Sequence, residues 1–98
     1  MGMEIEVIVT GINWPTISQA MGKFEPKGLL CMVDGQLTFP DEEPALNWQE
    51  LRIKLPEGMV TIRKNQVGVT LVTWGNVNPE LLKQRDLFAT YLNEKQSS

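Results

Sequence analysis

The longest regular pattern in the chain lies between Trp48 and Trp74, where apolar side chains recur at every second position: Leu51, Ile53 and Leu55, then Val60 and Ile62, then Val69 and Leu71. Period two is the spacing of a strand with one buried face. The interruptions fall at Glu57-Gly58 and Asn65-Gln66, residue types suited to tight turns. The stretch is expected to form an antiparallel three-stranded meander with Leu55 opposite Val60, Ile53 opposite Ile62, Ile62 opposite Val69 and Val60 opposite Leu71. These registers collect the apolar residues on one face. Trp48, Glu50, Arg52, Lys54, Met59, Thr61, Arg63, Gly68, Thr70, Val72 and Trp74 fall on the other.

The flanking segments show the same two periods. Met3, Ile5, Val7 and Val9 alternate with Glu4, Glu6, Ile8 and Thr10, which predicts a first strand closed by Gly11. Ile17, Ala20, Met21 and Phe24 stand at i, i+3, i+4 and i+7, the stripe of a short helix. Pro15 suits its first position, and Gly22 inside it costs about 1 kcal/mol relative to alanine. Pro26 and Gly28 end it. Asp34-Gly35 is a two-residue turn signal between Leu29–Val33 and Gln36–Phe39. With Val33 opposite Gln36 and Met32 opposite Leu37, the side chains of Leu30, Met32, Leu37 and Phe39 share one face and Cys31 lies on the other. Pro40 to Pro44 brackets three acids and reads as a surface loop. Asn78-Pro79-Glu80 caps and opens a last helix, with Leu81, Leu82, Phe88, Ala89, Tyr91 and Leu92 on its apolar side. That helix is expected to run to about Asn93, leaving a frayed polar tail.

Taken together, the pattern predicts a single α+β domain over residues 1–98. It has two layers: an antiparallel sheet of about six strands, in the order β-α-β-β-β-β-β-α, with the C-terminal helix packed on the apolar face. Strand order does not follow from the pattern.

Composition narrows the function classes. At 98 residues, 42% hydrophobic and 21% charged, the chain has the make-up of one soluble globular domain. Twelve carboxylates against nine Lys and Arg, with no histidine, give a net charge of -3. That balance disfavours phosphate backbones and anionic lipid, and the cations are dispersed in ones and twos rather than gathered into a nucleic-acid arm. The single cysteine, Cys31, excludes an intramolecular disulfide and fits a reducing compartment. No signal peptide or membrane-length apolar run is present, so the cytoplasm is the expected location.

Catalytic chemistry finds few parts. Without histidine the usual base for a serine or cysteine nucleophile is missing, and only oxygen ligands remain for a metal. No glycine-rich phosphate loop exists. No catalytic residue, metal site or cofactor is expected. Glu4 and Glu6 share a strand face, and Arg52, Lys54 and Arg63 share the mixed face of the meander, a pattern best explained by cross-strand pairing that keeps a sheet soluble. Two features stand apart. Trp48, Met59, Val72 and Trp74 fall together on the mixed face, where exposed tryptophan suits a recognition surface. Arg85 projects into the apolar arc of the last helix between Leu81, Phe88, Ala89 and Leu92, with Tyr91 nearby.

The leading expectation is a non-enzymatic protein-binding or regulatory module. It would use Trp48, Met59, Val72 and Trp74, or an exposed edge strand, to engage a protein partner or a second copy. The alternative is a small enzyme or ligand carrier with a pocket between sheet and helices, its polar contacts made by Arg85 and Tyr91.

Overall fold

The computed structural model describes residues 3–8, 12–39, 42–74 and 78–97. The elements run β1 (Met3–Ile8), α1 (Trp14–Met21), β2 (Leu29–Val33), β3 (Gln36–Leu37), β4 (Glu50–Leu55), β5 (Gly58–Lys64), β6 (Gly68–Thr73) and α2 (Pro79–Ser97). All six strands form one antiparallel sheet in the order β1-β6-β5-β4-β2-β3. The first strand therefore closes onto the meander at β6, and the β2–β3 hairpin extends the far side. The α+β class, the element order and the two layers are those the periodicity predicts. Val9, Thr10, Gly11, Pro40 and Asp41, expected at the end of β1 and in the acidic loop, lie outside the described residues.

Both hairpins of the meander are shifted by two residues from the expected register. Ile53 pairs with Val60 and Leu51 with Ile62, while Ile62 pairs with Leu71 and Lys64 with Val69. The first turn is Pro56-Glu57, with Gly58 already opposite Leu55 and at φ +151°. The second loop is longer, closed by Asn65 N–H donating to the Gly68 carbonyl and by Val67 N–H donating to Asn65 Oδ1. An even shift leaves every side chain on its own face, so the expected core residues keep their places. Leu51, Ile53, Leu55, Val60, Ile62, Val69 and Leu71 are all fully buried.

A second correction falls on β2. Its pairing with β4 slips between Leu30, opposite Ile53, and Met32, opposite Arg52. Cys31 is the extra residue of this bulge, so the alternation reverses there. Leu30 and Met32 thus take opposite faces: Leu30 is buried in the core, while Leu37 and Phe39 are 86% and 78% exposed. The Asp34-Gly35 turn forms as expected, with φ of +50° and +83°. Asp34 also ties the hairpin to the start of β4, its Oδ1 accepting from the backbone N–H of Gln49 at 2.9 Å and of Glu50 at 2.8 Å. Asp34→Ala removes both bonds and the residue type that tolerates a left-handed backbone. It is expected to lower the unfolding free energy by about 1–2 kcal/mol, measured by urea denaturation.

Both helices cover the apolar face. Asn13 caps α1, its Oδ1 accepting from Thr16 N–H, so the helix opens at Trp14 and closes before Gly22. Gly22 is therefore the C-cap rather than an interior residue, and Phe24 packs from the segment beyond it. Ile17, Ala20 and Met21 of α1 join Leu81, Phe88 and Leu92 of α2 over the sheet. Asn78 caps α2 as expected, its Oδ1 accepting from Leu81 N–H at 2.7 Å, and the helix continues past Asn93 to Ser97. Two contacts fix where α2 starts. Glu57 N–H donates to Gln84 Oε1, and a Cβ on Gly58 would lie 2.9 Å from Leu81 Cδ2. Glycine at 58 thus lets the first turn of α2 sit directly on the β4–β5 turn.

Candidate functional site

With both helices on one side, the other face of the sheet is left without a helix. Its side chains form rows across the strands. One row runs Glu4, Val72, Thr61, Arg52, Met32 and Leu37 from edge to edge, and the next runs Glu6, Thr70, Arg63 and Glu50. Trp74, one residue beyond β6, folds back over the first row. Its Nε1–H donates to Thr61 Oγ1 at 3.1 Å, and the Arg63 guanidinium stands 5.3 Å from the ring centre. Arg63 is held in turn by Glu50, Nε to Oε2 at 2.8 Å. The indole is therefore fixed on two sides yet 46% exposed. Beside it lies a groove of about 350 Å³ lined by Arg52, Met59, Trp74 and Leu81.

Charge on this face is unevenly used. Arg63 and Glu50 neutralise each other, but no ion pair joins Arg52 or Lys54 to another described residue. Glu4 and Glu6, on the far edge strand, are equally without one. Arg52, with no ion pair among the described residues, thus brings a cation to a groove whose other described lining residues, Met59, Trp74 and Leu81, are apolar.

The four residues expected to share this face do not all do so. Met59 and Trp74 line the groove, and Val72, paired with Thr61, is fully buried. Trp48 is elsewhere. It is 3% exposed and packs in the core among the residues that the helices cover. The alternation of β4 does not reach it: the strand begins only at Glu50, and a turn in which Trp48 N–H donates to the Ala45 carbonyl resets the direction of the side chain. Lys64, on the core side opposite Val69, closes over the indole with its Nζ 4.2 Å from the ring centre and donates to the Leu46 carbonyl. The sequence pattern does not mark Leu81 as a groove residue, because only the docking of α2 onto Gly58 brings it to the end of the sheet.

No family, curated protein or solved structure matches the chain.

Arg85 and Tyr91 point to different neighbours. Arg85 is 7% exposed, and its Nε and Nη2 both donate to Asp86 Oδ1, at 3.2 and 3.0 Å, while the buried Nη1 has no hydrogen-bond partner among the described residues. Tyr91 packs edge-on against Phe24, ring centres 5.6 Å apart, with Lys23 Nζ 4.7 Å from its ring centre. Neither residue lines the groove beside Trp74. A larger depression of about 460 Å³ lies between the β2–β3 hairpin and residues 42–45, lined in part by Asp34, Thr38, Glu42 and Glu43. Its polar groups hold the hairpin: Asp34 accepts from β4, and Thr38 Oγ1 bonds Glu42 Oε2 at 2.8 Å. No group of three or more metal-ligating side chains is gathered among the described residues, and no described helix is long and apolar enough to cross a membrane.

Proposed function

We propose that this chain is a non-enzymatic protein-binding module that engages its partner through the helix-free face of the sheet, centred on Trp74 and Met59. The supporting observation is the indole of Trp74, half exposed and held in one orientation by Thr61 and Arg63. A large side chain already fixed loses little entropy when it is covered, and it offers both apolar area and a cation-binding ring face. Arg52 beside it, without an ion pair among the described residues, gives the surface a charge that a complementary partner would neutralise. The acidic balance of the chain favours protein over nucleic acid as that partner, and the lone Cys31 suits the reducing cytoplasm.

The test compares proteins retained by the tagged full chain, the untagged chain included, with those retained by a Trp74→Ala/Met59→Ala variant of unchanged circular dichroism. The expected result is selective loss of the retained set. Retention of the same set by the variant would overturn the reading. The alternative, a ligand carrier built around Arg85, draws support from one observation, the buried Nη1 without a partner; it is tested in the Discussion.

A further inference from the structure

We infer that the partner seats an acidic, apolar segment on this face, one whose carboxylates lie between apolar side chains. The inference rests on the reading of the face as a protein-binding surface and adds the chemistry of what covers it. It follows from the order of side chains across the strands. Trp74 covers Thr61 at one end, and beyond it the row continues through Arg52 and Met32 to Leu37. Met59 stands two residues from Thr61 on the same face of β5, directly opposite Lys54. The accessible surface is therefore apolar at Trp74 and Met59, cationic at Arg52 and Lys54, and apolar again at Met32 and Leu37. The buried Val72 and Thr61 take no part in it.

The two cations decide the sign of the partner. Neither makes an ion pair with another described residue, whereas the third cation of the face, Arg63, is held by Glu50 at 2.8 Å. Glu4 and Glu6 belong to the same face, but Glu4 shares the row of Arg52 at three strand spacings, roughly 14 Å, too far for a contact. Glu57, in the β4–β5 turn, is not among the residues lining the groove. Two positive charges thus stand beside apolar surface on a chain of net charge -3. A basic segment is repelled there, and an uncharged one would strip water from Arg52 without replacing its hydrogen bonds. A carboxylate accepts from the planar guanidinium through two parallel bonds, while the side chains on either side of it reach the indole and Leu37. A nucleic-acid strand repeats its charge at every unit and meets Glu50 and the acids of β1 as well.

From the indole over Thr61 to Leu37 is also three strand spacings. That distance is spanned by about four extended residues or about three turns of helix, so one short segment reaches all three zones.

Selection of peptides of about twelve residues from a random displayed library on the immobilised full chain tests this. The expected result is enrichment of sequences with Asp or Glu between Leu, Met or aromatic residues. General electrostatic attraction to an acidic chain would enrich Lys and Arg instead, so the outcome reports the local charge. Measured by fluorescence polarisation, the enriched peptides are expected to bind Arg52→Glu at least about tenfold and Lys54→Glu about threefold more weakly, and Lys83→Glu, on exposed α2, as tightly as the original chain. Absence of enrichment, enrichment of peptides without acids, equal affinity for Arg52→Glu and Lys83→Glu, or tighter binding of a single-stranded oligonucleotide of similar length would each overturn the inference. Should Arg52→Glu fail to fold by circular dichroism, Lys54→Glu decides alone, since Lys54 is exposed. Acid-free peptides that still lose affinity for Trp74→Ala/Met59→Ala remove only the acidic chemistry; enriched peptides indifferent to that double variant remove the binding-face reading with it.

Discussion

Trp48→Ala is expected to lower the unfolding free energy by about 3–5 kcal/mol, the range for deleting a large aromatic side chain from a packed core. Trp74→Ala is expected to lower it by about 1–2 kcal/mol, from one hydrogen bond and one cation–π contact at a half-exposed site. The contrast comes from position alone, since both are tryptophans flanking the same meander. Trp48 is 3% exposed, packed with the core residues and covered by Lys64, so its removal leaves a cavity and strips the apolar bed from the Lys64 stem. Trp74 lies outside the core, and its removal takes the hydrogen bond from the buried Thr61 hydroxyl. A domain of this size has roughly 5–15 kcal/mol in all, so Trp48→Ala approaches the threshold of unfolding and Trp74→Ala does not. Urea denaturation followed by far-ultraviolet circular dichroism measures both. Equal losses would put the two indoles in equivalent surroundings and remove the distinction on which the binding face rests.

How much of this was readable beforehand depended on whether local pattern or tertiary placement fixed the answer. The faces of β4, β5 and β6 were legible because side-chain alternation survives an error of two in register, and the actual errors were of that size. The bulge at Cys31 was not, because nothing in Leu-Leu-Cys-Met-Val marks where an extra residue sits, and one residue is enough to exchange the faces of Leu30 and Met32. Trp48 departs from the pattern for a related reason: alternation does not carry through residues that form a turn rather than a strand. Met59 and Trp74 were legible by parity, as was Arg52 on the same face. Their assembly into a groove with Leu81 was not, since it depends on the close approach of α2 to Gly58. Arg85 was placed near the core by helical projection, and the structure buries it there.

Replacing that arginine by methionine is expected to raise stability by about 1–3 kcal/mol, because a desolvated guanidinium is exchanged for an apolar chain of similar length. The cation is poorly compensated. Its ionic partner among the described residues, Asp86, is the adjacent residue and 61% exposed, and both bonds go to a single oxygen. Nη1 is buried without a hydrogen-bond partner among the described residues. Asp86→Ala has the opposite sign: it leaves the buried cation with no counter-charge, and a loss of about 1–2 kcal/mol is expected once the exposure of the carboxylate is discounted. The two substitutions thus separate the worth of the pair from the cost of burying half of it. Urea midpoints at constant slope give both values, and a loss above about 1 kcal/mol for Arg85→Met would mean that the guanidinium is well satisfied in the folded chain. The same variant decides between the two functional readings. If Arg85→Met is more stable and still retains the proteins held by the original chain, the buried cation serves neither binding nor stability. If it is more stable but loses them while Trp74→Ala/Met59→Ala does not, the site of action is the helix–sheet interior, and the ligand-carrier reading takes precedence over the sheet face.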